Sequence, residues 1–165
     1  MRAVRVVRVI VHARSREPVL VLGEVDGERL LPVFLRQPQA EVIAAGPRDA
    51  GDPILTQDLI VEIVRGLGRR LEGVEITELR ESIFHAELVF DQGTRIPARP
   101  SDALAVAVRE GLPIAVDDAI LDEVGQSAEQ MFPHGLPDEL PEEQQLRQFR
   151  DFIDEVSPDD FGSQT

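Results

Sequence analysis

The sequence of 165 residues contains no cysteine, and its 17 basic residues are all arginine because lysine is absent. Without cysteine the chain cannot form disulfides, cysteine-ligated zinc or iron–sulfur sites, or a thiol nucleophile. Without lysine it has no P-loop lysine and no Schiff-base chemistry. No apolar run approaches the roughly 20 residues of a membrane span, and no leader pattern follows Met1. We therefore expect a cytoplasmic protein that does not enter a membrane.

Aromatic residues are also scarce, since tryptophan and tyrosine are absent and phenylalanine occurs seven times. The formal net charge is −14. Proteins that grip single-stranded nucleic acid usually combine aromatic platforms with a positive groove. The average field of this chain repels phosphates, so any nucleic-acid role requires a local basic group or a bound divalent cation.

The negative charge is concentrated toward the C-terminal end. Residues 1–36 have an excess of basic residues, whereas residues 126–165 contain ten acidic residues and two arginines. Prolines and a glycine open this last segment after residue 132. The composition predicts a body over residues 1–125 and a Pro/Gly linker with an acidic tail over residues 126–165.

Hydrophobic periodicity predicts an α+β fold, a mostly antiparallel sheet with helices packed on it. Runs of β-branched and aromatic residues predict strands, and spacing of three and four predicts helices. The predicted strands are 4–11, 19–22, 30–35, 74–79, 83–90, 94–97 and 114–116. The predicted helices are 37–45, 57–67, 103–109 and 117–124.

The tail has a helical pattern of its own within an acidic background. Its apolar residues recur at helical spacing: Leu146, Phe149, Phe152, Ile153 and Val156. They predict an amphipathic helix that docks on the body, on a second copy or on another protein. The acidity of the tail argues against binding to an anionic membrane.

Two short strings open predicted helices with residues that suit either a cap or a site. Thr56 and Asp58 begin one helix, and Arg99, Ser101 and Asp102 begin another. In the structural interpretation Thr56 and Ser101 cap the helices while the aspartates favour the positive ends of the helix dipoles. In the functional interpretation Asp58 and Asp102 hold one metal ion and a phosphate lies at the same pocket.

Three strings carry a resemblance to a known family: PILTQDL (53–59), ITELRESIFHAEL (76–88) and RIPARPSDALAVAVREGLPIAV (95–116). They resemble the bifunctional nuclease domain family over roughly residues 1–125. The resemblance implies a compact α+β domain that often self-associates, with DNase and RNase activity in some members. On that basis Asp58 and Asp102 would hold Mg²⁺ or Mn²⁺, Arg99 would act with them in catalysis, and Thr56, Ser101 and Arg99 would bind the substrate.

The chain departs from the family pattern at three ionisable positions. Gln39 stands where the family often has Glu, Gln57 where it often has His, and Pro97 where it often has Asp. Each change removes a group that could hold a metal or move a proton, because an amide side chain lends no charge and cannot act as a base, and proline has no polar side chain.

Two functions are consistent with these residues. The first is a weak, metal-dependent nuclease acting on DNA or RNA. The second is a non-catalytic oligomeric binding or regulatory domain with the same fold. In either case we expect a homo-oligomer, most simply a dimer, because the strand-rich first third leaves sheet edges that need covering. A protein partner could also bind through Leu146, Phe149, Phe152 and Ile153.

Overall fold

The computed structural model describes residues 1–12 and 14–133, and its strands form one twisted sheet. In chain order the strands are β1 (Arg2–Val11), β2 (Pro18–Glu24), β3 (Leu30–Phe34), β4 (Leu71–Arg80), β5 (Ile83–Phe90), β6 (Arg95–Ala98) and β7 (Ile114–Val116). Their spatial order is β3-β2-β1-β7-β4-β5-β6. Neighbouring strands are antiparallel except for β4 and β7, which are parallel.

Helices pack against this sheet, which confirms the predicted α+β class with a mostly antiparallel sheet. They are α1 (Gln37–Ala44), α2 (Thr56–Gly66), α3 (Pro100–Glu110), α4 (Asp118–Val124) and α5 (Ala128–Met131). A single 3-10 turn, Asp91–Gly93, connects β5 to β6. The short helix α5 is the one helix of the described ranges that the sequence did not predict.

The first three strands form a meander. β2 pairs antiparallel with both β1 and β3, and the chain reverses between β2 and β3 at Asp26 and Gly27, two residues that favour tight turns. Pro32 lies in β3, the strand at the edge of the sheet. An edge strand tolerates proline because one side of its backbone has no ladder partner.

Helix α3 is the central element of the core. Its residues from Ala103 to Ala107 are all buried, as expected for a helix that is apolar nearly all round. Val106 packs with Val61 of α2, Leu71 of β4 and Phe90 of β5. The helix ends at Gly111, whose φ of 64° is left-handed and costs glycine no Cβ strain.

Two predicted caps are wrong by one or two residues. Thr56 is the first residue of α2 and follows the N-cap Leu55, while Ser101 follows the N-cap Arg99 and Pro100. Neither N-cap residue makes a side-chain cap hydrogen bond. Pro100 starts α3 early because its fixed φ and missing N–H suit the first helical position.

The amphipathic helix predicted over residues 146–156 lies outside the described residues. Within the described ranges, no helix is both long and apolar enough to cross a membrane.

Candidate functional site

The first turn of α3 brings together three of the polar side chains that the sequence singles out. Asp102 accepts a hydrogen bond from Arg99 Nε at 2.6 Å and another from Gln39 Nε2 at 2.9 Å. The Arg99 side chain is 65% exposed and that of Asp102 is 38% exposed, so the pair faces solvent. The hydrogen bond to Asp102 raises the pKa of Arg99, which is charged at all physiological pH values.

Gln39 reaches this turn because α1 packs against α3. Its Nε2 donates to Asp102, but its Oε1 is buried and has no hydrogen-bond partner among the described residues. A buried acceptor without a protein donor is unusual in a folded protein, so this oxygen can accept a hydrogen bond from water or ligate a cation. Gln39 occupies the position where the family often has Glu. The side chain that differs from the family pattern is therefore in direct contact with Asp102.

Asp58 is in a different environment, although the sequence grouped it with Asp102. Its carboxylate is fully buried and accepts from Arg109 Nε at 2.9 Å and Arg109 Nη2 at 3.0 Å. Oδ2 also accepts from the backbone N–H of Leu55 at 2.8 Å, which holds the start of α2. Arg109 is itself buried, and its Nη1 donates to the carbonyl of Gly46 at 3.3 Å. The pair joins α2 to α3 and to the loop after α1.

The electrostatics of Asp58 follow from this two-point contact. Hydrogen bonds from Arg109 hold the pKa of Asp58 below its ordinary value, and they outweigh the burial that acts in the opposite direction. The same contact raises the pKa of Arg109. Asp58 is therefore a charged carboxylate whose two oxygens both have donors, a geometry that favours a structural role over metal ligation.

The two aspartates are associated with opposite ends of α3. Asp102 lies in its first turn, whereas Asp58 binds Arg109 in its last turn. Seven residues of α-helix separate those positions by about 10 Å along the axis. Among the described residues, the hydrogen-bond partners of the two aspartates differ, since Asp58 accepts from Leu55 and Arg109 and Asp102 from Gln39 and Arg99. Within residues 1–12 and 14–133, no three His, Asp or Glu side chains are grouped as a metal site would need.

The remaining predicted site residues lie at the helix starts. Thr56 is exposed at the first position of α2, and Ser101 is half-buried at the second position of α3. Ser101 is thus adjacent in the chain to Asp102, whereas Thr56 belongs to the helix that Asp58 and Arg109 fasten. Ser101 therefore belongs to the same helix start as Arg99 and Asp102.

Sequence reasoning missed two residues that define these environments. Arg109 was not assigned a role, yet an arginine that directly follows the apolar run from Ala103 to Val108 signals a buried partner. Gln39 was noted as a departure from the family pattern but was not placed beside Asp102. That contact depends on the packing of α1 on α3, which no local spacing indicates.

Comparison with known proteins agrees with the resemblance. A family model described as the bifunctional nuclease domain matches residues 20–129. Two proteins of Mycobacterium tuberculosis, from strains CDC 1551 and H37Rv, are each 39% identical over 169 residues. The match covers 98% of this chain and 98% of each relative, and both relatives are described as uncharacterized proteins.

Proposed function

We propose that this chain, which belongs to the bifunctional nuclease domain family, is a weak divalent-metal-dependent nuclease whose site lies at the first turn of α3. One observation carries the proposal. The solvent-facing Asp102 lies between a guanidinium, that of Arg99, and the amide of Gln39, whose buried Oε1 has no partner among the described residues. The site would act on the phosphodiester bonds of DNA or RNA.

The donor set fits Mg²⁺ or Mn²⁺, although with few ligands. Mg²⁺ takes oxygen ligands and is commonly held by one or two carboxylates together with water and substrate phosphate. The Asp102 carboxylate and the unpartnered Gln39 Oε1 are oxygen donors of this kind, and Ser101, which precedes Asp102 in the chain, has a hydroxyl that could join them. When bound, such an ion supplies a water of lowered pKa as the nucleophile.

Arg99 would bind the phosphate. Its exposed guanidinium can pair with phosphate oxygens through two N–H groups, and Ser101 can donate a hydroxyl from the same first turn of α3. The positive end of the α3 dipole adds to this attraction. The predicted role of Thr56 in substrate binding stays a prediction, as does the predicted cytoplasmic location.

We assign Asp58 to the structure rather than to the metal. Both of its oxygens already accept from Arg109, and a metal ion would have to displace a buried guanidinium. With Asp58 engaged and Gln39 neutral, Asp102 is the single carboxylate of the proposed site. One carboxylate gives low metal affinity, and the net charge of −14 repels a polyanion, so turnover is slow.

The test is a cleavage assay on labelled RNA and DNA with Mg²⁺ or Mn²⁺ and with excess EDTA. We expect slow cleavage that requires the metal and is lost in Asp102→Ala. Asp26→Ala is the matched control, because it removes an exposed aspartate from the turn between β2 and β3, which is not part of the proposed site. Cleavage that persists in EDTA and in Asp102→Ala would contradict the proposed site.

A second candidate function is a non-catalytic oligomeric binding or regulatory domain. The exposed apolar residues of α2 favour it, because a surface of this kind is suited to association rather than catalysis. This candidate predicts a homo-oligomer and no cleavage under any metal condition. A homo-oligomer, most simply a dimer, is part of our proposal in either case. Binding of a partner through Leu146, Phe149, Phe152 and Ile153 stays a prediction.

A further inference from the structure

Helix α2 has apolar residues on two opposite sides. Val61 faces the core, where it packs with Leu71, Phe90 and Val106. Leu59, Ile60, Ile63 and Leu67, the last at the C-cap, are exposed by 50%, 38%, 53% and 77%. At 3.6 residues per turn these four lie within an arc of about 100°, and Val61 lies on the far side. We call these four residues the outer α2 face.

The outer α2 face is not the margin of the core. Residues at the edge of a buried face lie close to it in angle around the helix axis and are partly covered, as Val64 is. The four residues of the outer face are centred roughly 150° from Val61, where helices of single-domain proteins normally carry polar residues. Ile54, which is 61% exposed, precedes the helix and extends the apolar surface beyond its first turn.

The exposed area is what a small symmetric interface needs. At roughly 120 Å² for each fully exposed side chain, the outer α2 face and Ile54 present about 330 Å² of apolar surface. Two copies would contribute twice that area. Since interfaces are about 57% non-polar, this corresponds to a total of about 1,200 Å² buried, the lower limit of a standard-size interface.

The charged side chains of α2 lie outside the outer α2 face. At 3.6 residues per turn Arg65 lies on roughly the opposite side of the helix from that face. Glu62 and Arg65 bond to each other at 2.8 Å, and each also pairs with a residue of the body, Glu62 with Arg48 and Arg65 with Glu110. No charged residue of α2 interrupts the outer face itself. A two-fold interface requires a self-complementary patch, and an uninterrupted apolar face is complementary to a second copy of itself.

From this geometry we infer that the outer α2 face is the surface through which two copies of this chain associate, with the α2 helices antiparallel. The inference rests on the homo-oligomer proposed above and identifies its interface. Burying Ile63 near the two-fold axis removes it and its symmetry mate from water together, which is why a single substitution there has a doubled effect.

The test measures the mass of the intact chain by light scattering with refractive-index detection, because tryptophan and tyrosine are absent. At tens of micromolar we expect about twice the chain mass of 18.3 kDa. Ile63→Glu should give a monomer. Ile83→Glu is the matched control, since Ile83 is 60% exposed at the start of β5, and it should leave the dimer unchanged. Circular dichroism should report the same fold for all three proteins.

A cysteine-free chain also allows a direct proximity test. Under mild oxidation, Ile63→Cys should form a covalent dimer at low protein concentration, while Ile83→Cys should not. A wild-type monomer would overturn both the homo-oligomer and its interface. A wild-type dimer that persists in Ile63→Glu and does not cross-link through Ile63→Cys would overturn the interface alone. Neither result depends on nuclease activity, so the proposed catalytic site is judged separately.

Discussion

Helix α3 has an Asp–Arg ion pair near each end, and the two pairs differ in their surroundings. Asp58 and Arg109 are buried and bonded at two points, whereas Arg99 and Asp102 face solvent and bond at one. Removing one partner of a buried pair leaves an uncompensated charge, but an exposed pair is replaced by water at little cost. The same two residue types therefore fasten the fold at one end and remain available to a ligand at the other.

The largest expected effect comes from breaking the buried pair. Asp58→Ala leaves Arg109 charged and buried, and we expect the free energy of unfolding to fall by about 3–5 kcal/mol. Urea unfolding followed by circular dichroism measures this loss. Arg99→Ala, which breaks the exposed pair, is the control and should change stability by no more than about 0.5 kcal/mol. Equal losses in the two variants would remove the distinction between the pairs.

A paired replacement sharpens the comparison. Asp58→Leu combined with Arg109→Leu removes both buried charges, so the double variant should be more stable than Asp58→Ala alone. If the double variant is instead less stable than Asp58→Ala, then losing both charged side chains lowers the free energy of unfolding by more than one unpaired buried arginine does.

Acid should expose the same difference. The pKa of Asp58 is lowered in the folded protein. The ionised Asp58 therefore contributes its full stabilisation above the pKa of about 3.9 that aspartate has in the unfolded chain. That stabilisation is lost as the pH falls through the lower pKa of the folded protein. Unfolding free energy measured below about pH 4 should therefore fall more steeply in the wild type than in the variant with leucine at positions 58 and 109. Parallel curves would mean that Asp58 does not contribute to acid sensitivity.

A smaller effect is expected at the exposed end of α3. Gln39→Glu places a second carboxylate beside Asp102, and without metal we expect a loss on the order of 1 kcal/mol from like-charge repulsion. Saturating Mg²⁺ or Mn²⁺ should reverse the loss and raise the melting temperature, with a gain of about 2.7 kcal/mol at one hundred times the dissociation constant. Metal-dependent cleavage should increase as well.

Gln57→Glu is the matched control for that experiment. It makes the same substitution on α2, and no hydrogen bond of the described residues joins Gln57 to Asp102. Its melting temperature should show no added response to metal. If both variants respond equally, the ion binds to general negative charge rather than at the first turn of α3.

Sequence patterns predicted the positions of helices and strands better than they predicted which residues of different elements are in contact. The strands 83–90 and 114–116 agree with β5 and β7 at both ends, because alternating hydrophobic residues and flanking turns are local signals. The two helix caps were displaced because Asp58 and Pro100, rather than the hydroxyl residues, determine where those helices begin. Such competition among neighbouring residues is not resolved by cap preference alone.

The candidate site illustrates the limit of spacing arguments. Asp102 with Arg99 was predictable because both lie within one turn of the chain. The partner of Asp58 was not, since Arg109 is distant in sequence and its contact depends on how α2 crosses α3. A pattern that offered two aspartates at helix starts could equally describe a shared metal site or two unrelated contacts. The packing of the helices distinguishes them.

The three residues of β7 have a consequence for how the chain is synthesised. This strand joins the meander β1–β3 to the hairpin strands β4–β6, and it pairs Arg2 of β1 with Val116. During translation the meander can therefore form early, but the Arg2–Val4 end of β1 has no strand partner on its other edge until the ribosome has released almost the whole body. Contacts so distant in the chain form slowly. Until β7 pairs with it, this end of β1 is an unpaired strand edge of the kind that can pair with another chain, and the charge of Arg2 disfavours such pairing.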